Sequence, residues 1–457
     1  MNRSIFLGLA LWCSLCSLPL TAGASAGSQA ALSAAGENTA AVQKAIPAVR
    51  PQITAISTVY GDGESVSAVV LRYPKTIDEK RFQAAAFQVE GKAIRAVKTN
   101  DRSEVPAVSK EGPYVILELD HPAAPLPTAA SQAAHRDTGK EKEAGALAGG
   151  DAPMYSDRKA PDLSVAVRQT GTVFGEDGTV YGPWETALAA EKTVDPVKES
   201  FRTFTYRDPA TGYTMPYNLY LPKGYEQGKS YPMVVFIADA SANINDPQAV
   251  LYQGNGAVVW ASPEEQARHP AIVLAPQYTE DLIRSIGMMT TDTHEWTKGL
   301  QLVTDLIQDV KKRYKVDPQR IYGTGQSQGG MANIAISDRY PELFAAQYLV
   351  ACQWDTREME ALKDKNLWIT VCQGDGKAFP GMNEATALWE KAGARVARSR
   401  MWDSTAGKPE FAQMVKVMEE QESPINYTVF REGNHMYTWT FAYDIDGIRD
   451  WLFEQKK

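Results

Sequence analysis

Gly325-Gln326-Ser327-Gln328-Gly329 reads G-x-S-x-G, and its flanks constrain this chain more than any other stretch. The apolar pair Ile321-Tyr322 precedes it through Gly323-Thr324, and the helix-like segment Gly330-Met331-Ala332-Asn333-Ile334-Ala335 follows. Strand, tight turn and helix in immediate succession force the serine into a strained backbone and lift its hydroxyl above a sheet edge. Glycines flank such a turn because side chains there would collide with the neighbouring strand and helix. Taken alone, the pentapeptide fits a Gly-rich loop around a buried serine equally well, so the rest of the chain must discriminate.

At 457 residues the chain is expected to hold two domains. A net charge of −8 and no basic stripe argue against a nucleic-acid partner. The first 26 residues read as a secretory signal. Arg3 supplies the positive start, Ile5 to Leu18 is apolar, Pro19 breaks the run, and Ala24-Ser25-Ala26 fits a cleavage site. The run is short for a membrane span, and no stable membrane anchor is expected. A secreted or periplasmic location follows. With the signal removed, Cys352 and Cys372 remain, as a bridge or as two buried thiols.

Residues 27–50 are Ala-, Gly- and Ser-rich and read as a linker. Residues 51–195 show short alternating runs at Gln52 to Tyr60, Ser65 to Tyr73, Ala84 to Val89, Ile94 to Lys98, Tyr114 to Leu119 and Leu163 to Gln169. Turn residues break these runs, which predicts a β-sandwich. An Ala/Pro/Gly/charged stretch at about 122–161 interrupts it as a flexible insertion. His121 and His135 lie at or inside that stretch, away from any metal-like cluster.

From about residue 200 to 457 the pattern becomes strand alternating with helix. Strands are expected at Met215 to Leu221, Met233 to Ile237, Ala271 to Ala275, Arg320 to Tyr322, Ala346 to Cys352, Leu367 to Cys372 and Asn426 to Phe430. Val303, Leu306, Ile307, Val310 and Tyr314 recur on one face of a helix that Asp292 and Glu295 are expected to cap. Pro341 should stop the helix after Ser327, Asn383 to Lys391 should form another, and Ile445, Ile448 and Leu452 one side of the last. The class is α/β, a mostly parallel sheet covered by helices on both faces. Ser399 to Pro424 reads as a lid or an insertion.

A serine hydroxyl is a weak nucleophile unless a base takes its proton and an acid orients that base. Behind a turn of this kind the acid and then the histidine follow the serine in the chain. Of His121, His135, His269, His294 and His435, only His435 comes after Ser327, and it sits between the last strand and the final helix. Asp375, after the strand Leu367 to Cys372, is the favoured acid, with Asp355 as the substitute. Two backbone N–H groups should face a developing oxyanion, those of Gln328 and of Ala240 in Ala238-Asp239-Ala240-Ser241. Trp296, Trp354, Trp402 and Trp439 lie near loops and read as pocket walls or as core. Neither metal nor organic cofactor is required.

The runs Tyr217-Asn218-Leu219-Tyr220-Leu221-Pro222, Arg320 to Gly330 and Glu432-Gly433-Asn434-His435 resemble secreted carboxylesterases of the α/β-hydrolase superfamily. The similarity is to the branch of polyhydroxybutyrate depolymerases and feruloyl or acetyl xylan esterases. Some members carry an N-terminal immunoglobulin-like domain, which is what the resemblance implies for residues 51–195. Many carry His-Gly where this chain has Ala238-Asp239, and again where it has Gln373-Gly374. The resemblance implies a serine carboxylesterase with Ser327 as nucleophile, His435 as base and Asp375 as its acid, acting on a small-molecule or polymer-linked ester. A prolyl-oligopeptidase-like peptidase shares the fold and residue order. A surface- or carbohydrate-binding protein with a secondary hydrolase domain is the remaining alternative.

Overall fold

Between Gln52 and Val194 the described chain forms only strands and short 3₁₀ turns. The computed structural model describes residues 50–81, 83–126, 160–226, 228–242 and 244–457. The expected signal 1–26, nearly all of the linker 27–50, His135 and most of the insertion 122–161 lie outside the described residues. The strands are β1 (Gln52–Tyr60), β2 (Gly63–Arg72), β3 (Phe87–Val89), β4 (Ile94–Asn100), β5 (Tyr114–Leu119), β6 (Ala166–Gln169), β7 (Val173–Phe174), β8 (Val180–Tyr181), β9 (Leu188–Ala189) and β10 (Lys192–Val194). One sheet runs β10-β1-β2-β5-β4 and a second β3-β6-β9, with β7-β8 as a separate pair. Alternate residues of the first sheet (Ile53, Ala55, Val69, Leu71, Val115, Leu117) bury against Phe87, Val89 and Val167 of the second. That is a sandwich. Two expected strands shorten: Ala84–Ala86 is a 3₁₀ turn leading into β3, and the last run narrows to Ala166–Gln169.

The second domain follows from strands buried on both faces. Its strands are β11 (Arg202–Arg207), β12 (Thr214–Tyr220), β13 (Tyr231–Ile237), β14 (Ile272–Pro276), β15 (Val316–Gln326), β16 (Ala346–Val350), β17 (Asn366–Cys372), β18 (Val396–Trp402) and β19 (Ile425–Phe430). Its helices are α1 (Pro263–Arg268), α2 (Glu280–Ile286), α3 (Lys298–Arg313), α4 (Gln328–Arg339), α5 (Ala378–Lys391), α6 (Lys408–Glu419), α7 (His435–Ala442) and α8 (Asp446–Glu454). The sheet order is β11-β12-β14-β13-β15-β16-β17-β19-β18. β11 and β12 are antiparallel, and from β14 onward every pairing is parallel. Along β13, Met233, Val235 and Ile237 join one core with the α3 residues Val303, Leu306, Ile307 and Val310. Val234 and Phe236 join the other core with Trp260, Tyr348, Tyr443 and Trp451. A strand with both faces buried needs an unbroken apolar run, which Met233 to Ile237 supplies.

Two expectations are corrected here. The cap of α3 is Thr297, whose hydroxyl accepts the Leu300 N–H at 3.0 Å, and not the Asp292/Glu295 pair. A threonine at the residue just before the helix reaches the free N–H groups of the first turn, whereas Asp292 lies too far back in the chain. Ser399 to Pro424 is neither lid nor insertion. Strand β18 adds to the sheet edge beside β19, and α6 packs back on it through Phe411, Val415 and Met418.

The β1–β2 turn of the sandwich seats on the second domain. The Glu64 N–H donates to the Tyr252 carbonyl at 3.0 Å, and the Lys198 ammonium meets the Glu64 carboxylate at 2.5 Å. Val59 belongs to the same core as Phe236 and Tyr443. Gly61 lies so close to α7 that a Cβ there would sit 1.9 Å from the Thr440 carbonyl oxygen. Beside it, His121 stacks on Tyr60 and bonds Asp62. Among the described residues the two cysteines, Cys352 and Cys372, are free thiols and buried. Burial pushes the Cys372 thiol up to about 12, so it stays protonated.

Candidate active site

Ser327 stands between the end of β15 and the first turn of α4 with φ 50° and ψ −119°. That positive φ is costly for a residue with a side chain and needs surrounding structure to hold it. The Ser327 N–H donates to Val350 O at 3.0 Å, and its carbonyl accepts from Met331 N–H at 2.9 Å. Gly325 and Gly329 are required by close approach. Their Cβ atoms would lie 2.6 and 1.8 Å from the Ile237 carbonyl oxygen. The elbow is thereby pressed against the end of β13.

His435 is the first residue of α7, which follows β19 through Glu432 and Gly433, both at positive φ. Asn434 caps that helix by accepting the Tyr437 N–H at 2.9 Å. Trp439, one helical turn on, sets its ring edge-on to the His435 imidazole at 5.2 Å between centroids. Asp375 ends the turn after β17, and its Oδ1 accepts the N–H groups of Lys377 and Ala378 at 3.0 and 2.9 Å. Gly374 packs directly on the Gly433 carbonyl, which draws the acid loop against the histidine loop.

These loops bring three side chains into a line. His435 Nε2 is 2.8 Å from Ser327 Oγ, and His435 Nδ1 is 2.6 Å from Asp375 Oδ2. Burial pushes the Asp375 carboxyl up, but its bond to His435, the electrostatic pull of that ring and the two N–H groups outweigh that and hold it below its ordinary value. An ionised carboxylate only accepts, so Nδ1 must carry the proton, and Nε2 is left to accept from the serine hydroxyl. Asp355 is not part of this line. Its carboxylate is bound to Arg357, whose hydrogen bonds hold it down at about 2.

Gln328 is the first residue of α4, so its N–H has no acceptor within the helix. Ala240 lies in the turn after β13, closed by Ala242 N–H to Asp239 O at 3.4 Å. Gln328 and Ala240 line the same small cavity, with Met215, Ile237, Met289 and Val303 behind them. Of the four tryptophans, Trp354, Trp402 and Trp439 are core, and Trp439 also touches His435. Trp354 donates to Glu358 at 2.6 Å, and Trp296 packs on Tyr340. Sequence reasoning missed Asn434 and Trp439 as supports of His435. The capping residue just before the histidine was the available signal for the first.

Among the described residues one group, Glu265, His269 and Asp450, has ligand atoms within 4.8 Å of one another. Arg449 and Arg268 already bond its carboxylates, so two guanidinium charges stand where a cation would go.

A model of the esterase family matches residues 209–440, a little over half of the chain. The chain belongs to the esterase family. It is a hydrolase of carboxylic esters. A model of the esterase immunoglobulin-like N-terminal domain matches residues 52–182 of the same esterase. The crystal structure of a thermostable esterase aligns with 89% of this esterase and 100% of its own chain, at 24% identity and a TM-score of 0.65. The two share the fold of an immunoglobulin-like domain followed by an α/β-hydrolase domain. A feruloyl esterase module from Clostridium thermocellum covers 54% of this chain and 85% of its own at 13% identity, TM-score 0.35. A ferulic acid esterase from the anaerobic fungus Anaeromyces mucronatus covers 54% and 90% at 11% identity, TM-score 0.34. No curated protein matches this esterase in sequence.

Proposed function

We propose that this esterase works through an acyl-enzyme on Ser327, with His435 as general base and then acid, and Asp375 as the group that orients and stabilises the imidazolium. The observation that carries the reading is the hydrogen-bonded line from Ser327 Oγ through both nitrogens of His435 to Asp375 Oδ2, at 2.8 and 2.6 Å. Ser327 Oγ attacks the ester carbonyl while its proton passes to His435 Nε2. The carbonyl oxygen becomes an oxyanion held by the N–H groups of Gln328 and Ala240. Collapse breaks the bond to the alcohol oxygen, which leaves with the proton from Nε2. Water, deprotonated at the same nitrogen, then attacks the acyl-enzyme, and the acid and free Ser327 are released.

The substrate is a small-molecule or polymer-linked carboxylic ester. The Arg3, Ile5 to Leu18 and Ala24-Ser25-Ala26 pattern supports a cleaved signal and a secreted or periplasmic location. The test is a pre-steady-state time course with p-nitrophenyl esters of rising acyl length. A burst of one nitrophenolate per protein supports the acyl-enzyme. Turnover that Ser327→Ala leaves intact contradicts it.

A further inference from the structure

The Asp239 carboxylate reaches both halves of the oxyanion site. Oδ1 accepts the Ser241 N–H at 2.8 Å and is bonded by the Ser241 hydroxyl as well. Oδ2 accepts from the Gln326 side-chain amide at 2.9 Å. Both Asp239 and Gln326 are buried. Gln326 immediately precedes Ser327, and Asp239 immediately precedes Ala240.

Asp239 to Ala242 is a turn whose closing N–H is that of Ala242. Within such a turn the second and third residues keep their N–H groups unused. The third, Ser241, is taken by Asp239 Oδ1. Among the described residues the Ala240 N–H is thus the donor left over, and the carboxylate sets its direction. Since a carboxylate only accepts, Gln326 must turn Nε2 toward it, and this leaves Gln326 Oε1 buried with no hydrogen-bond donor among the described residues. An unsatisfied buried oxygen costs stability, so Gln326 is held in this pose by its tie to Asp239.

We propose that Asp239 is a positioning residue that ties the Ala240 loop to the residue before Ser327 and so fixes the spacing of the two oxyanion donors. This rests on the triad reading above. The tie acts on the tetrahedral state and leaves ground-state binding alone, so its loss falls on kcat. Asp239→Ala cuts both links. Gln326→Leu cuts only the link to the elbow. Asp239→Asn keeps both, since Asn Oδ1 can accept from Ser241 while Asn Nδ2 donates to a flipped Gln326 Oε1.

The experiment measures kcat, KM and inhibition by phenylboronic acid, whose Ser327 adduct places an oxygen in the oxyanion position. Asp239→Ala and Gln326→Leu are each expected to lower kcat by about 10²-fold with KM within a few-fold, and to weaken phenylboronic acid in parallel. Asp239→Asn is expected to restore most of both. The double variant Asp239→Ala/Gln326→Leu should be no worse than the poorer single one. Wild-type kcat and boronic acid inhibition in Asp239→Ala would overturn the proposal, as would an Asn variant as poor as the Ala one. If Asp239→Ala does not fold, Gln326→Leu decides by the same readouts. Ser327→Ala is measured alongside. If it keeps full turnover the triad reading fails, whereas a dead Ser327→Ala beside an unimpaired Asp239→Ala removes only the present inference.

Discussion

At the scale of single residues, the two carboxylates after β16 and β17 differ in what they face. Asp375 faces an imidazole and two backbone N–H groups, and Asp355 faces a guanidinium. Asp375→Asn should therefore lower kcat by about 10⁴-fold, because an amide permits the wrong tautomer of His435. Asp355→Asn should stay within a few-fold, and steady-state kinetics on one p-nitrophenyl ester separates the two. The depressed Asp375 carboxyl also links stability to pH. Its folded value lies below its unfolded one, near 4, so the stabilisation is complete above about pH 4 to 5 and is lost as pH falls through the folded value. Urea midpoints taken between about pH 6 and pH 3 should accordingly fall more steeply for the wild type than for Asp375→Asn.

Among the elements, legibility followed the strength of each local signal. Ser327 and His435 were readable because a strand–turn–helix needs glycines at fixed places, and because one histidine alone follows the serine. β13 was readable as a continuous apolar run. β18 was not. As an edge strand it leaves Arg398, Arg400 and Met401 exposed, so Val396–Trp402 shows no buried-strand pattern. The tie between Asp239 and Gln326 was also invisible, since it joins side chains 87 positions apart and has no local signature. The cap of α3 was misplaced by a few residues, the usual error where several polar residues precede a helix. Thr297→Ala should cost about 1 kcal/mol of stability through the lost bond to the Leu300 N–H, whereas Asp292→Ala should cost α3 nothing. Thermal denaturation of the two variants checks this.

For the whole molecule, the sandwich and the hydrolase domain are joined at the helix that starts with His435. Val59 lies in the hydrolase core, Glu64 pairs with Lys198, and Gly61 touches the backbone of α7 at Thr440. A methyl group at Gly61 would have to displace that backbone. Gly61→Ala is expected to destabilise by about 1–3 kcal/mol, the cost of overpacking a filled contact. Gly182→Ala, where a Cβ meets nothing within 4 Å, should not. Calorimetry on the full chain compares them, and equal melting temperatures would mean that the seam yields freely. The central claim concerns the serine in that frame. Intact mass and peptide mapping after a fluorophosphonate probe test it most directly. One adduct per chain, on Ser327 and absent from Ser327→Ala, is predicted, whereas an adduct on another residue, or none on an enzyme that still turns over esters, would contradict it.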